Sequence, residues 1–410
     1  MSKPIEDRPG RGALPYSGIR VVDLSGAIAG PVASMFGADF GMRVIKVERP
    51  EGDMSRYIPP FVGRTSLYYA TANRNKESIV LDFTREQGYE VLQRLVRQAD
   101  IVIANNPSKA SMEKHGIDLE SLEKIKPDII LVNISLEGQG GAASGRKGYD
   151  MIAQAELGAM PLTGPKGGSH PYRFPGPFVD VMSAMNVFIA MLVALRIRDG
   201  MPRPKAQYID ISLFNSAALV LFPQLMEAAS MGINPPNEGD GYRYIEPYRL
   251  FETQDGWMVI AIGTAANWKA FCLAIGKEEL LSDPLFRSNQ DRVKNSAALC
   301  DILQPCLKKE GTAHWEMVFG ERNIPAARVR SIQEFLANPQ TKARKVMLTL
   351  AGPAGEKAVV VNNPLASSNL PMVPNPGFPP TLGENTGDIM VEMGYSAEEI
   401  ATLKGSGIIA

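Results

Sequence analysis

Two acidic positions are candidates for chemistry, and the first is Asp180. It follows the segment FPGPFV and precedes the apolar run VMSAMNVFIAMLVAL, which predicts a helix. An aspartate there suits two roles that do not exclude each other. It is an N-cap, whose oxygen accepts amide hydrogens of the first turn, or a carboxylate nucleophile. A helix N-terminus helps to keep a carboxylate ionised, and nearby backbone amides would hold an oxyanion.

The second acidic position is in the tripeptide Gly148-Tyr149-Asp150. Asp150 would be a second carboxylate of a site, and Tyr149 would bring a hydroxyl group near it. The alternative is structural: a buried tyrosine followed by an aspartate that starts a helix. The tripeptide alone leaves both interpretations open.

Small residues join the first predicted strand to the first predicted helix. Residues 19–24 predict a buried strand, residues 25–31 (SGAIAGP) a turn, and residues 44–47 the next strand, which ends at Glu48. The spacing of Gly26 and Gly30 is Gly-x-x-x-Gly, which argues against a nicotinamide or flavin cofactor. The turn is either an amide surface that favours anions or a tight connection that needs small residues.

Basic and polar residues cluster beside two of these strands. One cluster runs from Lys46 to Arg56, and the other is the run NRNK from Asn73 to Lys76. Ligands of parallel sheets bind at the carboxyl ends of the strands, so the clusters suit a phosphorylated ligand. The alternative is ordinary solvated loop charge.

The composition removes several classes of protein. The 410 residues include 43 Lys and Arg against 44 Asp and Glu, with three His and three Cys. This balance gives no support to nucleic-acid binding, and the few His and Cys predict neither a metal site nor a disulfide framework. The polar N-terminus lacks the apolar core of a signal peptide, and residues 181–195 are short for a spanning helix. We therefore expect a cytoplasmic protein without membrane association.

The order of elements predicts an α/β fold. Strands and helices alternate through the first 135 residues, which indicates a parallel sheet covered on both faces. Residues 138–177 are irregular and rich in Gly, Pro and Ser, as functional segments often are. Residues 248–262 predict two strands around a turn, and three further helices complete a smaller domain. Residues 362–380 hold six prolines and predict an extended connection.

Taken in order, several segments resemble the family III CoA-transferases, which include formyl-CoA transferase and carnitine CoA-transferase. The resemblance covers nearly the whole chain. Its motifs are YSGIRVVDLSGAIAGPVASMFGADFGMRVIKVERPEGD, NRNKESIVLDF, QADIVIANN, PDIILVNISLEGQG, GYDMIAQAELGAM, PFVDVMSAMNVFIAMLVALRIR, IPAARV and LGENTGDIMVEMGYSAEEI.

The resemblance implies a Rossmann-like large domain with a parallel sheet, a smaller α+β domain and a homodimer of interlocked rings. The implied divisions are a first part of the large domain at 1–215, a linker helix at 216–234, the small domain at 235–330, a returning linker at 331–380 and the last part of the large domain at 381–410.

The family's nucleophilic aspartate matches Asp180. The resemblance implies that it forms an aspartyl anhydride with the acyl group of an acyl-CoA and then an aspartyl-CoA thioester, from which CoA passes to a small carboxylic acid. Coenzyme A is thus a substrate, and no permanently bound cofactor or metal is implied. The implied contacts to CoA are Arg49, Asn73, Lys76, Asn105 and Lys114.

The turn residues Ile28, Ala29 and Gly30 are the implied contacts to the acyl group. The apolar side chain of Ile28 argues against a very small polar acid such as oxalate. The family's glycine-rich lid is represented at best by Gly239-Asp240-Gly241.

The same fold is implied for the α-methylacyl-CoA racemases, which exchange a proton with a His-Asp pair. Tyr149 stands where the racemases have histidine, and tyrosine, with a pKa near 10, is a poor base at neutral pH. The substitution favours a transferase, with Tyr149 beside Asp180 in the site. A racemase, an intramolecular CoA isomerase and a non-catalytic acyl-CoA-binding protein are the alternatives.

Overall fold

The computed structural model describes residues 14–410, so the first 13 residues of the predicted large domain lie outside it. The strands are β1 Arg20–Asp23, β2 Arg43–Glu48, β3 Phe61–Val62, β4 Thr65–Ser66, β5 Glu77–Val80, β6 Ile101–Ala104, β7 Ile130–Ser135, β8 Gln207–Ser212, β9 Tyr248–Glu252, β10 Trp257–Ala261, β11 Ala326–Arg328, β12 Met347–Ala351 and β13 Lys357–Val361.

The helices follow the same chain order. They are α1 Ala29–Asp39, α2 Leu67–Asn73, α3 Glu86–Arg97, α4 Lys109–Lys114, α5 Leu119–Ile125, α6 Asp150–Glu156, α7 Phe178–Asp199, α8 Leu213–Ala218, α9 Phe222–Met231, α10 Ala265–Ala274, α11 Asn289–Lys294, α12 Ser296–Leu307, α13 Thr312–Glu321, α14 Ile332–Ala337, α15 Pro339–Ala343, α16 Thr386–Glu392 and α17 Ala397–Gly405.

The chain divides into two compact units. The first comprises the described residues up to Leu157 together with Phe174–Leu225 and Pro339–Ala410, and the second comprises Gly158–Arg173 and Met226–Asn338. The second unit thus includes Gly158–Arg173, a segment within the predicted large domain at 1–215.

A six-stranded parallel sheet forms the centre of the first unit. Its strand order is β5-β2-β1-β6-β7-β8, and all five pairings are parallel. β2, β5, β6 and β7 are buried along their whole length, as expected for a sheet covered on both faces. The expectation of an α/β fold with a large parallel sheet is confirmed.

Two helices on this sheet position the site. α1 begins at Ala29, inside the turn predicted at 25–31, and Pro31 is in the first turn of the helix, where a missing N–H is tolerated. α1 packs against α7, with the ring of Phe188 5.8 Å from that of Phe36. α1 and α7 are therefore parts of one packed layer.

α7 is longer than the apolar stretch suggested. It has 22 residues, of which an 18-residue window has a mean hydropathy of 2.1, and it is the one helix of residues 14–410 whose length and composition would suit a membrane span. The prediction that this stretch is too short was wrong. A core helix passes the same test, and 44% of the apolar window of α7 is buried.

The segment at 331–380 is more structured than the returning linker that was predicted. It contains α14, α15 and the antiparallel hairpin β12–β13. The hairpin buries Leu350, Ala358 and Val360 against Ala70 of α2. Alternating buried and exposed residues in β13 are the sequence pattern of this hairpin.

Ile408 and Ile409 lie at the edge of the large sheet, beside β5. Leu81 forms an antiparallel bridge with Ile409, and the amide of Asp82 donates to the carbonyl of Ile408 over 2.8 Å. The amide of Ser78 donates to Asn385 Oδ1 over 2.9 Å. The open edge of β5 is covered by these contacts.

The second unit is built around a three-stranded antiparallel sheet in the order β11-β10-β9. Its helices bury a separate core that includes Phe271, Trp315 and Phe319. The predicted lid residues lie along β9, because the carbonyl of Asp240 accepts a hydrogen bond from the Leu250 amide over 3.3 Å.

Candidate active site

A cavity of about 260 Å³ opens at the carboxyl ends of β1, β6 and β7. The turn after β1 lines one wall through residues 26–30, and residues 105–107 and 134–136 follow β6 and β7. Residues 146–149, Asp180 and Leu213 complete the lining. The edge of a parallel sheet where neighbouring loops diverge is the usual place for a ligand.

Asp180 is the third residue of α7 and does not cap it. The helix begins at Phe178, its N-cap is Pro177, and no side chain of the N-cap residue makes a capping bond. Within residues 14–410, no hydrogen bond or ion pair of the Asp180 carboxylate is present. Burial, and next the negative charge of Asp150, raise the pKa of Asp180 to about 7.

Asp150 performs the capping role that the sequence predicted as one of two alternatives for Asp180. Its Oδ2 accepts the amide hydrogens of Val179 over 2.8 Å and of Asp180 over 3.1 Å. Gln154 Nε2 donates to Asp150 Oδ1 over 2.5 Å and fixes the carboxylate. Since a neighbouring helix satisfies the first amides of α7, the carboxylate of Asp180 is left available to a ligand.

Two tyrosines accompany these carboxylates. Tyr149 lines the cavity with 65% of its surface exposed, so the alternative of a buried tyrosine is wrong. Tyr68 was not predicted. Burial, then the charges of Asp180 and Asp150, raise the pKa of Tyr68. Tyr68 is half-buried and directly precedes the fully buried core residue Tyr69 in α2, so the local sequence does not single it out.

The turn after β1 fits the cavity wall tightly. Ile28, Ala29 and Gly30, which were predicted to contact the acyl group, all line the cavity. A Cβ on Gly30 would lie 2.0 Å from Ser25 Oγ, so only glycine allows the turn to close against the start of α1. The amides at the N-terminus of α1 belong to this wall.

The predicted contacts to CoA separate into three groups. Asn105 lines the cavity, whereas Arg49 and Lys114 are exposed residues outside its lining. Asn73 and Lys76 are buried: Lys76 Nζ donates to Asn73 Oδ1 over 2.9 Å and to Asp23 Oδ2 over 3.0 Å. The assignment of Asn73 and Lys76 to CoA is therefore corrected, because neither side chain reaches the cavity or the solvent.

Two basic residues that were not selected do line the cavity. Arg146 and Lys147 are separated from Tyr149 by Gly148 alone, and both are exposed. Arg146 forms ion pairs with Glu137 over 3.0 Å and Glu156 over 2.7 Å. The run GRKGYD at residues 145–150 could have indicated these two contacts, because its basic pair stands close to the candidate site residue Tyr149.

A network of buried charges lies beneath the turn. Asp23 pairs with Lys76 over 3.0 Å, and Lys46 pairs with Asp53 over 2.7 Å. Burial alone would raise the pKa of Asp23, yet the charges of Lys76 and Lys46 lower it to about 2. The network is structural in this geometry, since all four side chains are almost fully buried.

Comparison with known proteins identifies the family. The model of CoA-transferase family III matches residues 16–386. The acetyl-CoA:oxalate CoA-transferase of Acetobacter aceti is 35% identical over 349 residues, which cover 85% of this chain and 89% of that protein. The succinyl-CoA:glutarate CoA-transferase of Mus musculus is 33% identical over 402 residues, which cover 96% of this chain and 90% of that protein.

Solved structures agree with this assignment. A CaiB/BaiF family protein from Brucella suis has a TM-score of 0.80 and 32% identity, covering 93% of this chain and 99% of that one. A structure from Mycobacterium tuberculosis has a TM-score of 0.81 and 26% identity, covering 92% and 99%. The chain belongs to CoA-transferase family III and is an enzyme of the CoA-transferase class, so the resemblance seen in the sequence is confirmed.

Replacing Lys76 tests whether it is structural. Lys76→Met leaves the buried carboxylate of Asp23 without its nearest cation, so we expect a loss of about 3–5 kcal/mol in the free energy of unfolding. Denaturant titration followed by circular dichroism measures this loss. In the control, Lys114→Met, an exposed lysine is removed, and stability stays within about 0.5 kcal/mol of the wild type. An unchanged stability of Lys76→Met with weakened CoA binding would restore the original prediction.

Replacing Asp180 tests its raised pKa. Because the folded-state pKa of about 7 exceeds the unfolded value of about 3.9, the folded protein keeps a proton that the unfolded chain releases. This contribution to stability is full below about pH 4 and is lost as the pH rises to about 7. Asp180→Asn cannot ionise, so at pH 8 it is expected to be more stable than the wild type by on the order of 1–4 kcal/mol.

Thermal unfolding at pH 4 and at pH 8 measures the difference. A control of opposite sign is Asp128→Asn, since the hydrogen bond from Lys126 lowers the pKa of Asp128. Asp128→Asn should be less stable than the wild type at pH 8. Equal midpoints of Asp180→Asn and the wild type at pH 8 would contradict the raised pKa.

Proposed function

We propose that the protein transfers CoA between an acyl-CoA and a small carboxylic acid, with Asp180 as the nucleophile. The observation that carries this proposal is the carboxylate of Asp180, which lines a cavity, has no hydrogen-bond partner among residues 14–410 and has a pKa of about 7. A carboxylate that is partly desolvated and not neutralised is a stronger nucleophile than one held in an ion pair.

The first half of the reaction forms an anhydride. An Oδ atom of ionised Asp180 attacks the thioester carbonyl carbon, the carbon–sulfur bond breaks, and the CoA thiolate leaves with the electron pair. The negative charge that develops on the carbonyl oxygen needs donors nearby. The amides of the turn and of the start of α1, at residues 28–30, are the donors that the cavity wall offers.

The second half returns the CoA. The thiolate attacks Cγ of Asp180, and the donor acid leaves as a carboxylate, which gives an aspartyl-CoA thioester. The acceptor carboxylate attacks the carbonyl carbon of this thioester, the carbon–sulfur bond breaks, and a new anhydride forms as the CoA thiolate leaves. The thiolate then attacks the acceptor's carbonyl carbon in the anhydride, and the carboxylate of Asp180 leaves, which gives the new acyl-CoA. Asp180 is regenerated, and no proton or electron is gained or lost.

The charged parts of CoA need cations at the mouth of the cavity. Arg146 and Lys147 line the cavity and are exposed, so they suit the phosphates of CoA. Arg49 and Lys114 are exposed and available to the more distant phosphates, and Asn105 offers its amide at the rim.

The acceptor is a small carboxylic acid. The relative from Acetobacter aceti is named for acetyl-CoA and oxalate, and those from Agrobacterium fabrum and Mus musculus are named for succinate or succinyl-CoA and glutarate. Oxalate, succinate and glutarate are dicarboxylic acids. Ile28 places an apolar side chain in the cavity wall. We propose an acceptor with a carbon chain that contacts Ile28, and so one longer than oxalate.

The active form that we propose is a homodimer of interlocked chains. Five apolar residues spaced at helical intervals are 40–55% exposed along one face of α7, a pattern that supports burial in an interface. They are Val181, Met185, Ile189, Val193 and Ile197.

Trapping the covalent enzyme tests the mechanism. Incubation with acyl-CoA followed by hydroxylamine should modify Asp180, and peptide mass spectrometry locates the change. Asp180→Ala should lose at least about 10³-fold in kcat, because the reaction loses its covalent route. Wild-type rates in that variant would exclude the mechanism, and deuterium uptake at the α-carbon without CoA exchange would indicate a racemase instead.

A charge on the exposed face of α7 tests the dimer. Ile189→Asp would bury an unpaired carboxylate in the interface, so the mass measured by light scattering should fall from twice 44.5 kDa to 44.5 kDa. Leu285→Asp, at a residue of similar exposure in the second unit, is the control and should leave the mass unchanged. A wild-type monomer, or an Ile189→Asp dimer of unchanged stability, would contradict the proposal.

A further inference from the structure

The turn at residues 25–27 is held from outside by side chains of other segments. The amide of Ser25 donates to Asp23 Oδ1 over 3.0 Å, and its carbonyl accepts a hydrogen bond from Lys46 Nζ over 2.9 Å. Asn105 holds both polar atoms of the Gly26 backbone: its Oδ1 accepts from the amide over 3.3 Å, and its Nδ2 donates to the carbonyl over 3.4 Å.

Asp53 holds the third residue of the turn. Its Oδ1 accepts the amide hydrogen of Ala27 over 3.3 Å. A Cβ on Gly26 would lie 3.5 Å from Asp53 Oδ2, so the carboxylate lies directly against the turn. Ala27 has a φ of 63°, in the left-handed region that is unfavourable for alanine. External bonds are therefore needed to keep the residue in this conformation.

The carboxylate of Asp53 is itself fixed. Oδ1 also accepts from the amide and the hydroxyl of Ser55, both over 2.8 Å, and Oδ2 pairs with Lys46 Nζ over 2.7 Å. The side chains of Asp53 and Lys46 are almost fully buried. Lys46 thus joins Asp53 to the carbonyl of Ser25, and the turn is bonded at both ends to one buried ion pair.

The turn lines the same cavity as Asp180. We propose that Asp53 is a positioning residue for CoA transfer, which fixes the amides of the cavity wall by holding Ala27 in its left-handed conformation. This inference rests on the proposed function. Asp53 is not expected to touch the substrate, so its loss should act on the chemical step more than on the binding of acyl-CoA.

Two substitutions separate the hydrogen bond from the charge. Asp53→Asn keeps an acceptor for the Ala27 amide and loses the charge, whereas Asp53→Ala loses both. The matched control is Asp39→Asn, at another buried carboxylate of the first unit, which pairs with Arg74 over 2.7 Å and makes no contact with the turn. The measurement is the rate at which hydroxylamine-sensitive acyl-enzyme forms in a single turnover, together with KM for acyl-CoA and the thermal midpoint.

We expect Asp53→Asn to form acyl-enzyme roughly 10- to 100-fold more slowly than the wild type, with KM within about threefold. Asp53→Ala should be slower still. Asp39→Asn should lower the thermal midpoint at least as much while its rate stays within about threefold. If Asp53→Ala does not fold, Asp53→Asn against Asp39→Asn decides the question.

Two failures are distinguishable. If the wild type forms no acyl-enzyme, the proposed function fails. If the wild type forms it and Asp53→Asn is no slower than Asp39→Asn, the positioning role of Asp53 is overturned. A KM that rises in proportion to the loss of rate would also overturn it, because the turn would then serve binding alone.

Discussion

The buried charges beneath the first turn are the constraint on which the site depends. A charge inside a protein is tolerated only when a partner of opposite sign and further hydrogen bonds replace its hydration. Here Asp23 and Asp53 alternate with Lys46 and Lys76, and their remaining bonds go to the backbone of the turn or to polar neighbours. Asp23 is the last residue of β1, Lys46 lies within β2 and Lys76 directly precedes β5, so the network connects three neighbouring strands beneath the turn.

The two carboxylates near α7 show how location assigns different roles to one residue type. Asp150 accepts two amide hydrogens of the first turn of α7, so its carboxylate stabilises the start of that helix. The backbone amide of Asp180 donates one of those bonds, whereas its carboxylate takes no part in them and lines the cavity. The charge of Asp150 disfavours ionisation of Asp180, so the capping residue also adjusts its neighbour.

Much of the fold was predictable, because buried strands and amphipathic helices leave periodic patterns. The parallel sheet, from the alternation of strands and helices, and the position of Asp180 at the start of an apolar helix were both deduced from such patterns. The contacts of Lys76 were not, since a lysine in a loop cluster has the same sequence whether it faces solvent or a buried aspartate. Tyr68 and the capping role of Asp150 depend on segments distant in sequence, which no local pattern reports.

The segment that covers β5, which includes Asn385 and Ile409, also constrains how the chain folds during synthesis. The edge strand Glu77–Val80 is completed by residues that follow it by some 300 positions, as the bond between Ser78 and Asn385 shows. During synthesis, the second unit and the hairpin β12–β13 leave the ribosome while this edge is still uncovered. The nascent large sheet therefore presents an unpaired strand edge until these residues are made, and such an edge favours pairing with other chains.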